Sequence, residues 1–123
     1  EWVNLGANTN TSDLKNNYNN IRITIGDGET IETEGNLLGS IIGDYVKTGI
    51  STMLNTGTYI GIGSVVFGSG FQRKNIKQFS WGDSDKIHFN KFIDTATKVK
   101  KRRNLSISDS EKNLLNKIYN NKI

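Results

Sequence analysis

The chain of 123 residues has no cysteine and no proline, and only one histidine and one methionine. Without cysteine there is no disulfide framework and no thiolate metal site, and nothing points to an oxidising compartment. A single histidine, His88, cannot supply the His cluster of a zinc site, and no Asp or Glu pair has recognisable metal spacing. No apolar run approaches the roughly 20 residues needed to span a bilayer, and the N-terminus has no signal-peptide pattern. The expected setting is therefore cytoplasmic, with no membrane partner. The net charge of +4 is mild and much of it lies in the C-terminal third, so no nucleic-acid partner is expected. The length suits one domain with a modest core.

What the chain does have is a period of six between Ile42 and Gly70. The first slot of each hexad is Ile42, Thr48, Leu54, Ile60 and Val66; the second is Gly43, Gly49, Asn55, Gly61 and Phe67; the fifth is Val46, Thr52, Thr58, Ser64 and Gly70. Apolar, turn-permissive and small slots at this spacing are the hexapeptide pattern of a parallel β-helix, in which three short strands and their corners make a coil of roughly 18 residues. Ile42 should stack on Ile60 and Thr48 on Val66, with the small slot facing inward. The second-slot glycines are expected to supply the backbone angles of the corners. Antiparallel strands with glycine turns would instead alternate every two residues.

The first residues already fit the pattern, with Val3 in a small slot and Leu5 to Thr9 forming most of a hexad, which predicts further coils before Glu1. Between Thr9 and Asn36 the period lapses. A polar loop leads to Ile21, Ile23 and Ile25 in alternation, a Gly26-Asp27-Gly28 turn, and a second alternating run from Glu29 to Thr33, which reads as a β-hairpin extruded from a corner. Beyond Gly70, Phe79 and Trp81 are expected to cover the open end of the coil. A helix is predicted from about Ser84 to Arg102, with Phe89, Phe92, Ile93, Ala96 and Val99 on one face. Ser108 with Glu111 three residues later is a capping box that starts a second helix carrying Leu114, Leu115, Ile118 and Tyr119. The resulting plan is a hexapeptide-repeat region over 1–82, with the loop and hairpin inserted at about 10–36, and a helical tail over 83–123.

Few residues advertise chemistry. His88, between Ile87 and Phe89 at a helix start, reads as structural, and a β-helix carbonic anhydrase is excluded by the missing histidines. The run Lys98, Lys100, Lys101, Arg102 and Arg103 reads as a solvated helix C-terminus, where cations favour the dipole. Thr48, Thr52, Thr56 and Thr58 do not form ranked T-x-T motifs of an ice-binding array.

The stretches Asn4 to Thr9, Ser12 to Tyr18, Gly39 to Thr58 and Phe79 to Gly82 resemble the C-terminal half of bacterial GlmU-like sugar-phosphate nucleotidyltransferases. The resemblance implies a fold that is mainly β, a left-handed parallel β-helix with the inserted β-hairpin and a C-terminal tail of two α-helices, and a homotrimer. It also implies a transferase with acetyl-CoA and a sugar phosphate as ligands, in which acetyl passes to the amine of glucosamine 1-phosphate. Mg2+ would belong only to the family's nucleotidyltransferase domain, outside these residues. The family's general-base histidine corresponds to a position before Glu1, so no catalytic residue is expected in this chain. Asn17 and Tyr18 resemble the pair that lies beside the sugar and acetyl group. Ile50 stands where the family has a serine near acetyl-CoA, and Gly68 where it has an alanine. A non-catalytic oligomerisation or regulatory scaffold for a nucleotidyltransferase domain is the alternative.

Overall fold

A computed structural model describes residues 1–122. Along the chain lie β1 (Asn10–Thr11), β2 (Arg22–Ile25), β3 (Glu29–Glu32), β4 (Ser40–Ile42), β5 (Lys47–Thr48), β6 (Met53–Leu54), β7 (Thr58–Ile60), β8 (Val65–Val66), β9 (Asn75–Ile76), β10 (Ser80–Trp81), β11 (Asp85–Lys86), α1 (Phe89–Lys101) and α2 (Asp109–Tyr119).

Residues 18 apart pair in parallel where the hexads run. Ile42 lies beside Ile60 in the β4–β7 ladder, and Thr48 beside Val66 in the β5–β8 ladder. The apolar slot buries Leu54, Ile60 and Val66 against Val46 and Ile76, with Ile42 at the margin. Each such side chain contributes on the order of 1.5 to 3 kcal/mol of transfer free energy. The small slot is buried at Val46, Thr52, Thr58 and Ser64, and its hydroxyls find carbonyls: Thr52 donates to Gly49, Thr58 to Asn55 and Ser64 to Lys77, at 2.7 to 2.8 Å. A buried hydroxyl without such a partner would cost free energy.

The expected fold class is nevertheless corrected. The strands do not continue as a left-handed parallel β-helix; they fall into four small sheets of two to four strands, ordered β1-β6, β11-β10-β8-β5, β2-β3 and β4-β7-β9. Two of these contain antiparallel pairs, β10 with β11 and β2 with β3. Helices of 13 and 11 residues set against strands of two to four residues also remove the description "mainly β". The physical reason is length. Five hexads supply enough strand for ladders of two or three parallel members, and the antiparallel β11 then closes one ladder.

The turn chemistry also differs from expectation. Gly43, Gly49 and Gly61 do not hold positive φ; a Cβ at Gly43 would lie 2.7 Å from the Ile62 nitrogen, so the second slot is small because the next strand passes over it. The left-handed residues are in the fourth slot instead, at Tyr45 (φ 61°), Ser51 (φ 58°), Gly57 (φ 64°) and Gly63 (φ 70°).

That fourth slot builds the seat for the helices. Trp2, Tyr45 and Phe79, all at positive φ, project from one corner, with Trp2 stacked on Tyr45 at 6.5 Å between ring centroids. At Gly63 the column has no side chain, and a Cβ there would lie 2.6 Å from the Phe79 ring and 3.1 Å from Phe92. The Phe79 ring covers that gap with Phe92 of α1 beside it, edge-on to Tyr45 at 5.6 Å and to Phe79 at 5.1 Å. Phe92, Ala96 and, from α2, Leu115 complete the cluster. Phe79 is thus buried beneath the helices, while Trp81, expected to cover the coil, is 46 % exposed and packs on Phe67. Helix α1 begins later than predicted because residues 85–86 pair back on β10.

The hairpin forms with Arg22 opposite Glu32 and Ile25 opposite Glu29. It is docked rather than extruded. Ile21 and Ile23 are buried, and Gly57 leaves the room: a Cβ there would lie 2.7 Å from Ile21 Cγ2 and 2.9 Å from the Arg22 carbonyl oxygen. Gly57→Ala should therefore destabilise the chain by about 2 kcal/mol from positive φ alone, with hydrogen exchange fastest in β2. Unchanged exchange at Ile21 to Ile25 would show that the hairpin does not rest on Gly57.

Candidate functional site

The polar loop before the hairpin is held at several points. Lys15 N–H donates to the Asn36 carbonyl at 3.0 Å, Leu38 N–H to Asp13 at 2.9 Å, and Leu14 bridges Leu37. Within it, Tyr18 N–H donates to the Lys15 carbonyl at 2.8 Å, Asn19 N–H to Asn17 Oδ1 at 3.1 Å, and Lys15 Nζ to the Asn20 carbonyl at 2.9 Å. Asn17 and Tyr18 therefore sit on a tied turn. Tyr18 takes φ 58° and leaves its ring 69 % exposed.

Next to this turn is a cleft of about 660 Å³ whose lining includes Lys15, Asn19, Asn20, Arg22, Glu32 and Lys74. Partial burial, then the Lys15 charge, pushes the Lys74 ammonium below its ordinary value. Arg22 is answered by Glu32 at 3.4 Å, which leaves Lys15 and Lys74 without a carboxylate partner among the described residues. Such a site can hold an oxyanion on its lysines and meet hydroxyl groups with the amides of Asn19 and Asn20. Neither Lys74 nor Arg22 was legible as a site residue in the sequence; the alternation of β2 does place Arg22 opposite the buried faces of Ile21 and Ile23.

Ile50 and Gly68 lie elsewhere, just past the β5–β8 ladder. The Cβ that Gly49 lacks would meet Phe67 at 3.2 Å, which sets Ile50 beside Gly68 one residue on. Ile50 is 79 % exposed. No hydrogen bond or strand pairing joins these two to Asn17 and Tyr18 among the described residues. His88 is the N-cap of α1 and makes no side-chain cap; it lines a cleft of about 570 Å³ with Trp81, Asp85, Lys91 and Asp94. Among the described residues there is no group of three or more His, Cys, Asp or Glu able to hold a metal ion, and no helix is long and apolar enough to cross a membrane.

The basic run at the end of α1 is not uniformly solvated. Lys100 is 8 % exposed, ion-paired with Glu111, and lies 5.6 Å from the Trp2 ring centroid. Glu111 also accepts from Tyr45 Oη at 2.5 Å. The capping box is accordingly half-formed: Ser108 Oγ accepts from Glu111 N–H at 3.1 Å, while the Glu111 carboxylate turns to Lys100 and Tyr45. Desolvation would raise the Glu111 carboxyl, but the hydrogen bonds from Lys100 and Tyr45 outweigh it and hold the group below its usual range. The Tyr45 phenol is pushed well up by burial and by Glu111.

No family model matches the chain, and no curated protein matches it.

Because the folded Glu111 carboxyl is depressed, its stabilisation is complete above the unfolded carboxylate value and is lost as pH falls through the folded one. Glu111→Gln should cost on the order of 2 kcal/mol at neutral pH by stranding Lys100 and should flatten acid unfolding below pH 5. Parallel acid-melting curves for the two proteins would count against the network.

Proposed function

We propose that the chain is a ligand-binding and assembly region of a GlmU-like sugar-phosphate nucleotidyltransferase, with the loop around Asn17 and Tyr18 as its ligand face. One observation carries this reading: the exposed Tyr18 stands on a tied turn beside a cleft in which Lys15 and Lys74 have no carboxylate partner among the described residues. A phosphorylated sugar, or the phosphate-bearing end of acyl-CoA, matches that chemistry. The lysines meet the phosphate, and the asparagine amides and the tyrosine hydroxyl meet the sugar. The motifs shared with the family supply the class of ligand.

Binding and assembly are assigned here rather than turnover. Acetyl transfer needs a general base within hydrogen-bond reach of the amine, and no histidine lines this cleft. The exposed side chains of Ile50 and Phe71 supply apolar surface suited to a homotrimer contact. Ile50 also favours the second reading, a scaffold without catalysis, because its aliphatic side chain offers no hydrogen bond where the family presents a serine.

Titration of the chain with coenzyme A and with glucosamine 1-phosphate separates the two. Saturable binding that weakens about tenfold in Tyr18→Ala is the expected result, and no binding at millimolar ligand leaves the scaffold. Acetyl-CoA turnover by this chain alone should stay at background, and sustained turnover would overturn the assignment.

A further inference from the structure

A second cationic cleft lies on another part of the molecule, between the first residues of the chain and the end of α1. Its volume is about 520 Å³, with Trp2, Asn4 and Lys47 on one wall and Val99, Arg102 and Arg103 on the other. No acidic residue lines it, and none of its three cations is ion-paired among the described residues.

Two observations separate this from a helix end dressed with solvated charge. Three carbonyls of the last turn already accept from backbone: Arg102 N–H donates to Lys98, Arg103 N–H to Lys100 at 2.8 Å, Asn104 N–H to Lys101 and Leu105 N–H to Lys100. Arg102 and Arg103 line the cleft with no side-chain hydrogen bond or ion pair among the described residues. Lys47, moreover, comes from a different element. It is fixed in register between the Asn4 bridge and Val65, is half-buried, and among the described residues has only the Tyr45 carbonyl at 3.5 Å as an acceptor. Burial pushes its ammonium below the ordinary lysine value. A partly desolvated cation without a counter-charge is costly to the fold, and a bound anion offsets that cost.

We propose that Lys47, Arg102 and Arg103 form a binding site for a phosphate or diphosphate group, walled by Trp2 and Val99. The planar guanidinium forks bind two oxygens each, and Lys47 contributes a point charge from the opposite wall. Charge recognition of this kind is shared by inorganic phosphate and by the phosphate end of a larger small molecule. The proposal does not depend on the ligand face around Tyr18, which lies on other elements.

The test is a titration of the isotopically labelled chain with inorganic phosphate and with pyrophosphate, read by amide NMR. Saturable shifts at Lys47, Arg103 and the Trp2 indole are expected, stronger for pyrophosphate. Lys47→Gln and Arg103→Gln should each weaken binding by on the order of tenfold. Arg103→Lys, which keeps the charge and loses the fork, should fall between them and the parent, with thermal melts guarding against unfolding. Lys15→Gln and Lys74→Gln should leave these shifts unchanged, so failure of one cleft is distinguishable from failure of the other. The proposal is overturned by non-saturating shifts at millimolar pyrophosphate. It is equally overturned if the exposed, remote Lys112→Gln weakens binding as much as Lys47→Gln, or if only a single-stranded oligonucleotide binds.

Discussion

The packing of Phe92 against Phe79 and Tyr45 beside the gap at Gly63 holds this molecule together. The corner column presents Trp2, Tyr45 and Phe79 as side chains and leaves one vacancy at Gly63, which Phe79 covers together with Phe92 of α1. Around that contact the remaining pieces follow: α2 packs through Leu115, Tyr119 meets Phe79 edge-on at 5.0 Å, and the Glu111 carboxylate reaches Tyr45 and Lys100. The short ladders have little area of their own. Strands of two to four residues bury a narrow aliphatic file, so the aromatic seat adds the second half of the core.

Much of the local structure was legible because period is a direct physical signal. A six-residue repeat dictates which residues stack, and Ile42 on Ile60 and Thr48 on Val66 follow from it. The β2–β3 hairpin was legible from alternation and Gly26-Asp27-Gly28, and α2 from Ser108. The fold class was not. Extrapolating a local register into a solenoid required strands that continue, and here the ladders end within a few members while two helices take up comparable length. Slot assignment failed for a related reason. A glycine in sequence does not say whether it serves φ or clearance, and Gly43 serves clearance while the bulky Tyr45 accepts the left-handed angle.

The candidate sites were less legible, since clefts are formed by residues far apart in the chain. Lys74 approaches Lys15 only because β9 pairs with β7 while the hairpin folds over Gly57. Lys47 shares a cleft with Arg102 and Arg103 because Phe92 anchors α1 across the corner. Within the basic run itself, sequence could not distinguish Lys100, which turns into the core, from Arg103, which faces the cleft. Each cleft thus inherits its geometry from a few packing contacts of its own, one through the Gly57 vacancy and one through the Gly63 vacancy.

The most direct test of this account is residue-resolved hydrogen exchange on Phe92→Ala. Emptying that site should remove about 3 to 5 kcal/mol, and the account predicts that the loss is spatially ordered. Amides of α1 and α2 should exchange far faster, while the ladder amides of Gly43, Gly49 and Gly61 keep most of their protection. Uniform loss of protection throughout the chain, or helices that remain protected without Phe92, would contradict the claim that this one aromatic contact seats the helices on the sheets.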